Sequence, residues 1–363
     1  MSQKLADLPT PALLLDLDKA EANIDQMACK AESLGVRLRP HLKTHKCAPL
    51  AQRQVARSAA GATVATLAEA RYFAANGIDD LTWAFPIPLS RVDEAAALAQ
   101  QTTLRLVIDS PEALAALEQL AVPLHIWLKV DCGYHRAGVD PGGQPLLELA
   151  ARLSSSSQLT FDGLLSHSGH AYDADSQEDA RRIANQERDV MLACRRRLDG
   201  AGVEVPVLSI GSTPAMAAVQ DLEGIDEVRP GNYVFYDGTQ VALGSCQLTD
   251  CAVTVLASVI STSEQHAIID AGALALSKDA GPQHLGRATM GEIYADYPTA
   301  TLDPDLRVLS VSQEHGKLSK PVAVGQRLRV LPNHSCLTVA QFDEYAVVRG
   351  EKVIDRWPIH RAR

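Results

Sequence analysis

Between residues 36 and 236 the chain alternates eight short β-type apolar runs with seven Ala- or Leu-rich stretches of helical period. Few architectures accept that. The strand-like runs lie at 36–40, 62–66 (ATVAT), 81–85 (LTWAF), 104–108 (LRLVI), 124–130 (LHIWLKV), 161–166 (FDGLLS), 206–210 (PVLSI) and 226–236 (DEVRPGNYVFY). Helical stretches separate them at 47–59, 67–76, 89–101, 111–120, 145–153, 176–201 and 214–222. Ser110-Pro111 is a good helix start, because Ser caps free amides and Pro tolerates the first helical position; Gly77 and Gly202 are good stops. The pattern predicts an α/β fold, a (β/α)8 TIM barrel, whose chemistry belongs at the carboxyl ends of the strands. A doubly wound open sheet is the alternative. No GxGxxG follows an early strand, which counts against a dinucleotide fold.

The period changes at both ends of this region. Residues 11–16 (PALLLD) read as a strand and 18–34 as an amphipathic helix stopped at Gly35. From about 250 the runs CAVTVLASVIS, HAIIDAG, LRVLSVS, RLRVLP, EYAVVRG and KVIDRWP are separated mostly by turns. They predict a second, mainly β domain. The expected division is a barrel over 20–245 and a β domain made of 1–19 with 246–363.

Composition removes several function classes. With 34 basic against 44 acidic residues and a net charge of −10, the chain has no basic run to meet a nucleic acid. Neither a signal-peptide core nor a membrane-spanning apolar segment is present, so no membrane partner is expected. Seven scattered cysteines without a CxxC suit a reducing compartment better than a disulfide framework. The expected location is cytoplasmic.

The densest chemistry is RPHLKTHKC, residues 39–47, where Arg39, His41, Lys43, His45 and Lys46 crowd the end of the first strand. A lysine there, beside other cations, is a candidate Schiff-base amine; a solvated basic turn is the other reading. Other strand ends carry Thr66, Arg136, His167 with Tyr172, then Gly211-Ser212-Thr213, and Gly231 with Asn232. SIGSTPA pairs a glycine turn with hydroxyls and free amides at a helix start, and barrels often hold phosphate after strands seven and eight. A GST tripeptide alone is usually a turn. Together with a lysine across the mouth it suggests pyridoxal 5′-phosphate.

Taken in order, RPHLKTHK, VDCGYHRAGV, LSHSGHAYD, SIGSTPA, VRPGNYVFYD, EHG and PNHSC resemble the D-serine dehydratase and D-threonine aldolase family, fold type III pyridoxal phosphate enzymes related to alanine racemase. The resemblance implies a barrel with a β domain, a homodimer, and a D-amino acid substrate. It makes Lys43 the Schiff-base lysine and Tyr172 a cofactor contact. Gly211, Ser212, Thr213, Gly231 and Asn232 would hold the phosphate, with Arg136 near the ring. Arg229 would face the pyridine nitrogen as in racemases, or form a structural salt bridge.

His334 and Cys336 in PNHSC are two apart, so on a β segment both would point to one face. By itself an HxC is usually a core cysteine beside a surface histidine. The resemblance makes the pair metal ligands, and a thiolate with an imidazole favours Zn2+, whereas Mn2+ or Mg2+ would suit an aldolase. The implied activity is a lyase taking D-serine to pyruvate and ammonia. The alternative is an aldolase taking D-threonine to glycine and acetaldehyde, with His167 as base. His167 or His170 could instead hydrogen-bond the cofactor, and Glu314 and His315 could line the site or form a turn. A racemase and a non-catalytic pyridoxal phosphate carrier are further readings; neither needs His334 and Cys336.

Overall fold

Strands that are apolar on both faces must be covered on both faces, and a parallel sheet wrapped by helices does this. The computed structural model describes residues 4–57, 60–120 and 122–362. Eight parallel strands form one sheet: Arg37–Leu38, Ala62–Val64, Asp80–Pro86, Thr103–Ile108, Leu124–Lys129, Leu159–Leu165, Leu208–Ile210 and Glu227–Val228. The first pairs with the eighth, and every later strand with its sequence neighbour. A bridge between His41 and Thr63, with Thr63 N–H donating to the Pro40 carbonyl at 2.8 Å, joins the first strand to the second and closes the ring. The (β/α)8 barrel is therefore as expected.

The barrel belongs to a compact unit of Met27–Lys43 and Leu50–Gly231. Its helices bury one stripe each. Gln144–Ser155 buries Leu146, Leu149, Ala150 and Leu153, the i, i+3, i+4, i+7 spacing of an amphipathic helix. Ser110 caps Pro111–Glu118 by accepting from Ala113 N–H at 3.3 Å. Gly163, at φ +132°, lies beside a bulge where an added Cβ would fall 2.0 Å from the Val207 carbonyl oxygen, so only glycine lets these strands meet. At the amino end of the strands, buried Arg39 pairs with Glu227 at 2.8 Å and Asp80 at 2.5 Å, which satisfies a charge that would be costly alone.

The second unit comprises the chain through Gln26, Thr44–Pro49 and Asn232–Arg361. Six antiparallel strands close into a ring in the order Val253–Thr262, Ala267–Ile269, Gly316–Leu318, Thr301–Val311, Gly291–Asp296, Arg327–Leu331 and back to the first. Ala12–Asp16 extends this sheet, antiparallel to Val253–Thr262 and parallel to Glu344–Arg349, with Lys352–Pro358 outermost. Leu5, Leu8, Leu14, Leu256, Ala346, Val348 and Val353 form an apolar cluster of this unit.

Two local expectations are corrected. The eighth run, 226–236, is a strand only at Glu227–Val228, because Pro230 and Gly231 interrupt the ladder. Its apolar remainder turns into a 3-10 helix, Asn232–Val234, with Tyr233, Val234 and Phe235 fully buried. His334 and Cys336 are not on a β segment. Leu331 ends the strand before Pro332, and the Asp237 carboxylate accepts from Ser335 N–H at 2.9 Å, starting the helix Ser335–Val339 with His334 at its cap. Helix 47–59 is realised as Ala48–Ala56; positions 58 and 59 lie outside the described residues, as do the extreme ends, 1–3 and 363, of the expected β domain. Among the described residues no helix is long and apolar enough to cross a membrane.

Candidate active site

The carboxyl ends of the barrel strands surround a cavity of about 350 Å³. His41, Lys43, Ala65, Phe85, Lys129, Arg136, His167, Gly211 and Arg229 are among the residues that line it, with no carboxylate among the described residues. Four fixed cations therefore face one volume. Lys43 enters from the 3-10 turn Leu42–Thr44 after the first strand. The rest of the RPHLKTHKC cluster divides: Arg39 serves the buried ion pairs, whereas His45 is fully buried and its Nδ1 accepts from Cys47 N–H at 3.0 Å.

The electrostatics follow from this crowding. Burial first, then Lys43 and neighbouring cations, push His41 and His167 well below the usual imidazole range. Both rings are neutral at pH 7. His167 Nδ1 lies 3.3 Å from the Gly211 carbonyl oxygen, which can only accept, so Nδ1 carries the proton and Nε2 keeps its lone pair. Lys129 ends its strand almost fully buried, and burial with Arg229 and Arg136 pulls its amine down to about 8. Arg229, buried, drops to about 10 for the same first reason. It donates to the Ser209 hydroxyl and the Ser166 carbonyl.

Arg136 stacks over the Tyr134 ring at 4.8 Å. Tyr134 in turn stacks on His170 at 6.0 Å, and its ring occupies the space that any side chain at position 169 would need. Lys43, Arg136, His167, Gly211 and Arg229 are thus brought to one cavity. Tyr172 sits half-buried in the turn Gly169–Asp173, outside the cavity lining. Ser212 and Thr213 start the helix Thr213–Ala218, where the Ser212 hydroxyl accepts from Ala215 N–H at 3.4 Å. The Gly211 amide is not free as expected, since it donates to Glu187 at 3.3 Å. Gly231 is buried at the end of the barrel unit. Asn232 works inside the second unit, donating to Asp237 at 2.6 Å and Ser335 at 3.0 Å, with its Oδ1 buried and unpartnered among the described residues.

Sequence reasoning missed Lys129 and Glu187, and named His41 only as a member of the basic cluster without a site role. Lys129 had a signal: it is the one charged residue of LHIWLKV and closes a barrel strand at its functional end. The cavity fits pyridoxal phosphate, because an amine for an aldehyde and four cations without a lining carboxylate suit that anionic group.

In the second unit His334 Nδ1 lies 3.1 Å from Asp279 Oδ2, and Cys336 Sγ lies 3.2 Å from Thr44 Oγ1. The Cys336 side chain also hydrogen-bonds the His334 ring, and together with Asp279 it raises that ring well above the usual range despite burial. Among the described residues no three His, Cys, Asp or Glu side chains gather to hold an ion. The pair fits an open metal position: a carboxylate behind the imidazole is the usual outer partner of a metal-bound histidine, and a thiolate suits zinc.

The family model described as alanine racemase, N-terminal domain, matches residues 15–238, and that described as putative serine dehydratase domain matches 252–348. The chain is 34% identical to the D-threo-3-hydroxyaspartate dehydratase of Delftia sp. (strain HT23), covering 98% of each. It is 33% identical to the D-serine dehydratase of Dictyostelium discoideum, over 96% of this chain and 95% of that one. A solved cysteine-to-alanine variant of D-threo-3-hydroxyaspartate dehydratase, described as the metal-free form, superposes with a TM-score of 0.94 over 99% of this chain and 100% of that one, at 34% identity. Both domains occur in order on an alanine racemase-like barrel with its β domain, and the chain therefore belongs to the D-serine dehydratase and D-threonine aldolase family of fold type III pyridoxal phosphate proteins.

Proposed function

We propose that the protein is a pyridoxal phosphate- and metal-dependent lyase acting on D-3-hydroxy amino acids, with D-serine taken to pyruvate and ammonia. The observation that carries this reading is Lys43 in a cationic cavity whose lining holds no carboxylate. When bound, pyridoxal phosphate supplies an electron sink for the α-carbon, and a divalent ion, zinc by its donors, supplies a Lewis acid for the hydroxyl.

Lys43 Nζ would be the amine that holds the cofactor's aldehyde and the base within reach of the substrate's α-proton. Gly211, Ser212, Thr213, Gly231 and Asn232 hold the phosphate. Arg136 and Arg229, which line the cavity, would lie beside the ring, whereas Tyr172 could contact it only from outside that lining. His334 and Cys336 hold the ion, with Asp279 orienting His334. Loss of the α-proton and of β-hydroxide, followed by hydrolysis, gives pyruvate and ammonia. The barrel unit would carry the cofactor and the second unit the metal ligands, in a cytoplasmic homodimer.

The second reading is the aldolase, favoured by one observation: the lone pair on His167 Nε2, the base that reaction needs for the hydroxyl proton. The test is to incubate purified protein with D-serine and D-threonine separately, with and without zinc, and identify the products. Pyruvate from D-serine that stops on chelation supports the dehydratase. Glycine with acetaldehyde from D-threonine replaces it with the aldolase, and neither product overturns both.

A further inference from the structure

The helix Gln177–Gly200 buries Ala180, Ile183, Ala184, Met191, Cys194 and Leu198 as one apolar stripe, and in the same stripe it buries Glu187, with no exposed surface. A carboxyl in such a stripe is costly unless its oxygens are taken. They are. Oε1 accepts from the Ser166 hydroxyl at 2.7 Å, from Gly211 N–H at 3.3 Å and from the Cys132 thiol at 3.9 Å; Oε2 accepts from the Ser168 hydroxyl at 2.5 Å.

These donors come from three separate strand-to-helix loops at the functional end of the barrel. Ser166 and Ser168 flank His167, and Gly211 is the residue whose carbonyl receives the His167 Nδ1–H. Gly211 also has φ +103°, so its peptide planes are set by a conformation that other residues rarely adopt. Both the chain on either side of His167 and the acceptor that fixes its tautomer are therefore tied to one carboxylate.

We infer that Glu187 is a positioning residue: by clamping Ser166, Ser168 and Gly211 it holds His167 as the Nδ1–H tautomer, with Nε2 unprotonated. The catalytic consequence rests on the role proposed above for His167, but the positioning itself does not. The nearest alternative is that Glu187 only stabilises the fold. Replacement tells them apart, because Glu187→Gln keeps a carbonyl oxygen for Gly211 N–H and can give its NH2 to the Ser168 oxygen, whereas Glu187→Leu removes every acceptor.

The experiment is histidine-ring 15N NMR on the full chain without ligand, with the His167 signal assigned by its absence in His167→Asn. The wild type is expected to show Nδ1–H at His167, Glu187→Gln to retain it, and Glu187→Leu to show a tautomer mixture. An Nε2–H wild type, or an unchanged His167 signal in Glu187→Leu, overturns the inference. Should Glu187→Leu fail to fold, the Ser166→Ala/Ser168→Ala double variant replaces it, with the same two outcomes. For the aldolase reaction, in which His167 would be the base, loss of the clamp in the zinc- and pyridoxal phosphate-loaded protein should lower kcat by about 10²-fold, with KM changed less. Since the NMR readout needs no turnover, a failed product assay with the expected tautomers would sink the proposed reaction alone.

Discussion

Asp279 Oδ2 sits 3.1 Å from Nδ1 of His334, so the carboxylate takes the imidazole's rear nitrogen and leaves Nε2 as the one available to an ion. Removing the carboxylate frees the ring to rotate. Asp279→Ala is expected to weaken zinc binding about 10- to 100-fold, the usual cost of losing such a partner. Competition against a chromophoric chelator measures it, and unchanged affinity would remove Asp279 from the proposed metal position.

Lys43 is the cavity amine on which the proposed chemistry depends. Lys43→Ala should abolish the yellow absorbance of lysine-bound pyridoxal phosphate and lower turnover by at least about 10²-fold. Spectra of the reconstituted variant check the first outcome and pyruvate release the second. A yellow variant with undiminished turnover would rule Lys43 out.

His41 and His167 are held well below 6.5 in the folded protein, by burial first and by Lys43 next. The unfolded chain binds their protons at the ordinary value, so it binds more protons than the folded one as pH falls. Their contribution is complete above pH about 6.5 and is lost as pH drops from there through the folded values, each ring with a slope of up to about 1.4 kcal/mol per pH unit. His334, raised well above 6.5, has the opposite sign: its contribution is full below 6.5 and fades as pH rises through the raised value. Urea unfolding of ligand-free protein at pH 7.5, 6 and 5 tests this, since His41→Asn should flatten the acid limb. Parallel curves for variant and wild type would contradict the buried neutral ring.

Lys129 is cationic at pH 7 although buried, and its amine, pulled to about 8, records the cost. Lys129→Met keeps the stem and removes the charge. The variant should be more stable than wild type at pH 7 by on the order of 3 kcal/mol, with the gap closing from pH 8 to 10.5 as the wild-type amine loses its proton. Chemical denaturation at pH 7 and 10 gives both numbers. A variant less stable at pH 7 would show that the amine makes a compensating contact.

The barrel was legible because its strands are continuous apolar runs of the right length separated by helical period, a signal that local turn chemistry does not disturb. It failed at 226–236, where Tyr233, Val234 and Phe235 are apolar for burial in a 3-10 turn, and a short apolar run does not reveal which backbone carries it. That Lys43, Arg136 and His167 would share one cavity was legible because strand ends concentrate chemistry. Glu187 was not, since it stands mid-helix, far from any strand end, although a carboxylate in an otherwise apolar stripe is itself a visible anomaly. Asp279 had no sequence signal at all: it reaches His334 across 55 positions.

The pairing of Ala12–Asp16 with Val253–Thr262 and Glu344–Arg349 bears on biosynthesis. Leu13, Leu14 and Leu15, almost fully buried at the end, emerge from the ribosome long before either partner strand has been translated. The nascent chain must carry this sticky segment unpaired through synthesis of the whole barrel, which makes it a natural place for a chaperone to hold.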